Sequence, residues 1–306
     1  MNHEPVLLQP VLEFLRPARR DGTIVDATVG LGGHAEALLE RYEGVRLVAI
    51  DRDPAALEQA RERLAKFGDR VTFHRGRHES LIEILKQSNT TNVSGILADL
   101  GVSSMQLDDA SRGFSFRFDA PLDMRMGPDS RSAAELVSSL DEVELTRILR
   151  QYGEEPMARR IARAIVEART EAPIDTTARL AQVIRSVKRS RPGDIDPSTL
   201  TFQALRIAAN DELTGLDRFI DDAVASLEPA ARIAVIAFHS LEDRIVKRAF
   251  RRLRGECTCP PGMPVCGCGA VEKVKILTGR PVTASDEERN RNPRSRSAKL
   301  RVAERR

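Results

Sequence analysis

The 306-residue chain has no tryptophan, two tyrosines and ten phenylalanines. A ligand surface built from many stacked rings is therefore excluded, and any ring that meets a ligand must be one of few. No apolar run is long enough to cross a bilayer, and the start, Met1-Asn2-His3-Glu4-Pro5, lacks a basic-then-apolar leader. The expectation is a soluble cytoplasmic protein with no membrane partner. Cysteine is scarce as well: Cys257, Cys259, Cys266 and Cys268 are all there is, in one short stretch. Disulfides are disfavoured in such a compartment. Two Cys-x-Cys pairs are also tighter than the usual zinc-ligand spacing of two to four residues. A metal-free loop is the favoured reading, with a tetrahedral Zn²⁺ site as the alternative. Internal repeats are lacking too.

What is present is a long chain, 41% hydrophobic and 30% charged, enough for one large core or two domains. The net charge of +3 hides an asymmetry. Residues 244–306 carry 17 Lys or Arg against 6 Asp or Glu, and the remainder 31 against 39. A basic C-terminal quarter on an acidic body suits either a polyanionic partner or a solvated surface.

The stretch Thr23-Ile24-Val25-Asp26, followed by Ala27-Thr28-Val29-Gly30-Leu31-Gly32-Gly33-His34-Ala35, reads as strand, glycine-rich loop and helix. Further strands are expected at Val45–Ile50 (leading into Asp51), Val71–Phe73 and Gly95–Asp99. Helices between them imply parallel βαβ units with acids on the carboxyl edge, where open α/β sheets bind ligands. From Met105 to Asp129 the chain reads as loop, and from Ala133 to Leu227 as almost continuous helix. The sheet resumes at Arg232–Phe238 and ends with two edge strands, Val271–Leu277 and Ala298–Ala303, as an antiparallel pair. The expected organisation is residues 1–105 and 215–306 forming an α/β domain, with 106–214 a helical insertion.

Gly30 to Ala35 matches the dinucleotide fingerprint G-x-G-x-x-[GA]. In dehydrogenases, though, the first glycine comes straight off the strand to bring amides to a pyrophosphate. Here Asp26 ends the strand, and three residues intervene before Gly30. An acid there repels a pyrophosphate and suits an amine, while Asp51 suits ribose hydroxyls. Amine, ribose and no phosphate describe S-adenosylmethionine better than NAD. The bland alternative is that both acids only cap helices.

The cofactor loop resembles that of class I methyltransferases. Together with Ala49-Ile50-Asp51-Arg52-Asp53-Pro54, Asp99-Leu100-Gly101-Val102-Ser103-Ser104-Met105-Gln106-Leu107-Asp108, Arg112-Gly113-Phe114-Ser115-Phe116, Pro121-Leu122-Asp123-Met124-Arg125-Met126, Phe238-His239-Ser240-Leu241-Glu242-Asp243-Arg244 and Asn292-Pro293-Arg294-Ser295-Arg296, it resembles the bacterial RsmH (MraW) family. The likeness runs from Pro5 to Glu304. It implies a Rossmann-like methyltransferase sheet and S-adenosylmethionine-dependent methylation of cytidine N4 in the decoding region of 16S ribosomal RNA within the small subunit or its precursor. It also implies cofactor contacts at Gly32, Gly33, His34, Asp51, Asp99 and Gln106. A further contact falls at His78, where the family often has an aromatic residue; a surface histidine is the alternative there. A homodimer is left open.

The N4 amine is a poor nucleophile because its lone pair is delocalised into the ring, so an acceptor and a proton sink are needed. Asp99 is the obvious acceptor. His239, at the end of the fifth strand, is a second catalytic candidate or else a structural residue. Many amino-methyltransferases carry an aromatic ring after the fourth strand, and this chain does not. Phe114, Phe116 and Phe118 alternate nearby and could stack on a flipped base or anchor the loop. Arg244, Lys247, Arg248, Arg251 and Arg252 share a helix face. With Arg294 and Arg296 they are candidates for tracking RNA phosphates. The competing readings are a nicotinamide dehydrogenase and a non-catalytic RNA-binding assembly factor.

Overall fold

A computed structural model describes residues 4–102, 109–128, 130–189, 193, 196–257, 259, 267 and 269–306. The chain divides into two compact units, residues 1–101 with 214–306, and residues 102–213. No described helix is long and apolar enough to cross a membrane.

The first unit is a seven-stranded sheet of β1 (Thr23–Asp26), β2 (Arg46–Asp51), β3 (Val71–Arg75), β4 (Val93–Asp99), β5 (Leu227–Ala237), β6 (Val274–Ile276) and β7 (Lys299–Arg305), in the order β3-β2-β1-β4-β5-β7-β6. The first five strands pair in parallel; β7 runs antiparallel beside β5, and β6 antiparallel beside β7. This is the expected class I methyltransferase sheet, including the antiparallel edge pair. Strands β1, β2 and β4 are buried on both faces, which is why they read as unbroken apolar runs rather than as alternation. Val25, Val48, Ile50 and Ile96 pack with residues of α4 (Leu81–Gln87), α10 (Leu216–Ser226) and α11 (Ser240–Leu253). Ile24, Leu47, Ala49 and Leu97 pack with α1 (Leu8–Phe14), α2 (Gly33–Arg41) and α3 (Pro54–Leu64). Strand β5 starts earlier than its apolar pattern suggests: Leu227 already pairs with Val93, and a register shift with Ala230 at φ 63° interrupts the ladder before Arg232.

Among its described residues the second unit holds the irregular segment 109–128 and five helices, α5 (Ala133–Ser139), α6 (Glu142–Gly153), α7 (Ala158–Glu171), α8 (Thr177–Val187) and α9 (Thr199–Asn210), around a core of their apolar stripes. Ser132 with Glu135, and Asp141 with Glu144, form complete capping boxes at α5 and α6. The helix at Leu216–Ser226, which continues the helical run in sequence, belongs instead to the first unit and its sheet.

Candidate active site at the carboxyl edge of the sheet

Strand register gathers the acids. Asp26 stands opposite Ala49 on β2 and Leu97 on β4, so Asp51 and Asp99 each lie two residues further along their strands. Two residues is one full pleat, about 6–7 Å, and the three side chains therefore share one face.

The loop between β1 and α2 is held by its own backbone. Val29 N–H donates to Ile50 O (2.8 Å), Gly32 N–H to Val29 O (2.8 Å), and Gly30 N–H to Asp51 Oδ2 (2.8 Å). Gly30 (φ 51°) and Gly32 (φ 77°) take left-handed conformations, and Gly32 caps α2. Gly33 serves a different purpose, since a Cβ there would come within 2.6 Å of Pro5 Cγ. The glycine admits the N-terminal segment against the helix. That segment also fixes His34, whose buried ring donates from Nε2 to Val6 O (2.9 Å) and turns Nδ1 to within 3.6 Å of Asp99 Oδ2. Because the carbonyl claims the Nε2 proton, a neutral His34 presents its Nδ1 lone pair to Asp99.

The acids are unusual electrostatically. Asp26 is 1% exposed and accepts from Thr28 N–H (3.2 Å). Burial, reinforced by nearby Asp51, pushes its carboxyl up to about 7. Asp51 is raised by burial as well, against the amide bonds from Asp53 and Gly30 that favour its charge. Asp99 is held well above the ordinary carboxylate range by burial and by Asp26 and Glu242. Its backbone N–H donates to Thr28 Oγ1 (2.6 Å), yet its Oδ1 is buried with no hydrogen-bond partner. Such an orphaned acceptor costs free energy and marks a place prepared for a donor.

The same geometry does not suit a pyrophosphate. The Gly30 amide that would face it is bound to Asp51, and two further carboxyls stand beside it.

The family model described as the MraW methylase family matches residues 1–306. The chain belongs to the MraW methylase family. It is 50% identical to ribosomal RNA small subunit methyltransferase H of Heliobacterium mobile, covering 99% of this chain and 98% of that one. Identity to the protein of the same name from Geobacter sulfurreducens is 52%, with the same coverage.

The remaining residues that the family resemblance nominated are placed unevenly. Gln106 lies outside the described residues, as do Cys266 and Cys268 of the cysteine stretch. His78, expected to stack on adenine or to sit on the surface, is half-buried. It begins a short 3₁₀ turn after β3, and its ring packs edge-on against Phe219 (5.0 Å, 72°), with Nε2 buried and unpartnered. Burial and the Arg77 and Arg52 charges lower its pKa to about 4, so the ring is neutral. His239 follows β5 as expected but serves as the N-cap of α11. Its Nδ1 accepts from Glu242 N–H (3.4 Å), and its Nε2 lies 3.2 Å from Glu242 Oε1.

Glu242 was not singled out from the sequence. It is 2% exposed, its Oε2 accepts from Phe238 N–H (2.8 Å), and its charge acts on both Asp99 and His78. The trace it left is the spacing His239-x-x-Glu242, a capping box with histidine in the place usually held by Ser or Thr.

In the helical unit, Phe114 is a core residue and Phe116, half-buried, packs edge-on against Phe202 (5.0 Å), so both rings have partners within the unit. Phe118, third in the alternation, is 63% exposed. On α11 the basic face is partly neutralised: Arg251 pairs with Glu256, and Arg252 with Asp217 and Asp221. Arg244, Lys247, Arg248 and Arg296 are exposed and Arg294 half-buried.

Proposed function

We propose that this chain is an S-adenosylmethionine-dependent methyltransferase that methylates N4 of a cytidine in the decoding region of 16S ribosomal RNA in the small subunit or its precursor. The observation that carries the reading is Asp99 Oδ1, buried without a partner at the sheet edge beside Asp26 and the left-handed glycine loop. Family membership and relatives named small-subunit ribosomal RNA methyltransferases support the substrate class.

The residues fit the cofactor. Among the described residues Asp26 accepts one hydrogen bond, leaving acceptor capacity for an amine, and Asp51, which accepts from the Gly30, Asp53 and Arg52 amides, retains capacity for a ribose hydroxyl. Bound there, S-adenosylmethionine supplies a sulfonium methyl group for in-line displacement. Asp99 Oδ1 accepts a hydrogen bond from the N4 amine and draws its lone pair out of conjugation. A carboxyl held above the ordinary range is also a stronger base when ionised, so Asp99 can receive the amine proton after transfer. His34, anchored through Val6, holds its Nδ1 3.6 Å from Asp99 Oδ2, on the side where a proton taken up by Asp99 can be directed. His239 and Glu242 position the turn after β5. Of the three alternating rings, Phe118 is the most exposed and so the best placed to stack on an RNA base, and its backbone is anchored. Phe118 O accepts from Thr177 Oγ1 (2.8 Å), and Thr177 Oγ1 accepts from Ala120 N–H (3.1 Å).

The test is incubation of the purified chain with methyl-labelled S-adenosylmethionine and immature small subunits, followed by mapping of the labelled nucleotide. Label on N4 of one cytidine is expected, and Asp99→Ala should reduce the rate by about 10²- to 10⁴-fold while keeping its fold. No label, or label on another base, overturns the reading; a non-catalytic assembly factor transfers none.

A further inference from the structure

The division into an acidic body and a basic C-terminal quarter conceals a second basic region. Between Arg159 and Arg191 the sequence has nine Lys or Arg against three Asp or Glu. Helix α7 places Ala158, Ile161, Ala162 and Ile165 in the core of the helical unit, which turns Arg159, Arg160 and Arg163 outward together. These three arginines, with Ala164, Glu167 and Val187 from the end of α8, line a groove of about 440 Å³.

The arginines are poorly neutralised. Arg159 and Arg163 share one carboxylate, Glu142, at 3.5 and 3.7 Å, longer than charge-assisted hydrogen bonds, and their side chains remain 73% and 57% exposed. Arg160 is exposed and takes part in no described ion pair. Glu167 is the groove's own acid, so cations outnumber anions even with Glu142 counted. The contrast is with α11, where Arg251 and Arg252 are both paired. Arg159 and Arg163 stand one helical turn apart, about 6 Å, with Arg160 offset to the side. Guanidinium forks at that spacing can each engage a phosphate of one RNA strand.

We propose that the groove between α7 and the end of α8 binds the phosphate backbone of the ribosomal RNA substrate, chiefly through Arg160 and Arg163. It is a register-setting contact that reads no base. The inference rests on the methyltransferase reading above and adds to it where the helical unit grips the substrate. Because the contact is ionic, affinity through it falls with salt, by roughly 0.7 decade per decade of salt for each phosphate neutralised on a single strand.

The experiment compares the wild-type chain with Arg160→Gln/Arg163→Gln and with Arg160→Lys/Arg163→Lys. Affinity for a single-stranded RNA 20-mer is titrated across salt, and steady-state transfer is measured on immature small subunits. The glutamine pair should raise KM at least fivefold with kcat held at saturating subunits. It should also lower the slope of log affinity against log salt by roughly 1.4, to the same extent for RNAs of different sequence. The lysine pair should restore most of the slope, because charge rather than shape is being supplied. An unchanged slope and KM in the glutamine pair overturns the inference. So does a KM defect on subunits with no change on RNA, which would identify a protein partner. If the wild-type chain transfers no label at all, the methyltransferase reading fails instead, and the salt titration still decides whether the groove binds RNA.

Discussion

The carboxyl edge of the sheet and the interior of the helical unit leave different kinds of buried polar group unsatisfied. In the helical unit the unpartnered atoms among the described residues are two hydroxyls, Ser198 Oγ and Thr201 Oγ1, while a buried amide and a buried acid are matched. Asn210 donates from Nδ2 to Met124 O and Arg206 O and accepts from Met126 N–H, while buried Glu155 meets Lys188 Nζ at 2.6 Å. Helices α5 and α6 open on complete capping boxes. At the sheet edge, Asp99 Oδ1 and His78 Nε2 are buried without partners among the described residues, and the Asp26 and Asp99 carboxyls are both pushed upward, chiefly by burial. The scaffold pairs its buried charge and leaves only hydroxyls open, whereas the site leaves a carboxyl oxygen for a ligand to complete.

The comparison is broken most forcefully at Asp26. Its carboxyl is raised from 3.8 to about 7 in the folded chain, so between those values the folded state holds a proton that the unfolded state has released. The stability it contributes is complete below the lower value and is lost as pH rises towards the upper one. Asp26→Asn should therefore melt with a shallower pH dependence across that window and at a higher temperature than wild type above it. The same change should weaken S-adenosylmethionine binding by about 1.5–3 kcal/mol, roughly 10- to 100-fold, measured by calorimetry. Unchanged cofactor affinity would make Asp26 a purely structural acid.

A smaller effect is expected at Phe118, the exposed ring in a unit whose other described aromatics are buried or half-buried. Phe118→Trp creates the only tryptophan of the chain, so its emission is a private reporter, and stacking on RNA should quench it. Phe118→Ala should lose roughly 1–3 kcal/mol of RNA affinity. Emission that ignores saturating RNA would leave the ring a bystander. Smallest of all, Ser132→Ala removes half of a capping box. It should cost about 1 kcal/mol of stability in urea unfolding and leave the transfer rate of the folded chain untouched. A collapse of activity there would mean that the scaffold and the site are not separable.

Much of the fold was legible because it is periodic. Apolar runs ending in Asp26, Asp51 and Asp99 gave strands and their polarity, and Asp141 with Glu144 gave a helix start that the structure matches. Less of the site was legible. For His78, nothing local says that Phe219, 141 positions later, would pack against the ring. Phe114 and Phe116 look equivalent to Phe118 in an alternating pattern, and only the approach of Phe202 and the helical core distinguishes them. Gly33 reads as part of a ligand loop, but its tightest constraint is Pro5.

By itself the sequence determined the sheet and its acid-tipped edge, the loop chemistry and the family, because these depend on local periodicity and on residue types at fixed spacing. The tertiary structure alone decided which acids lose their water, which rings are shielded and which arginines stay without close partners. Burial and pairing depend on segments far apart in the chain, and no local pattern records which of them will meet.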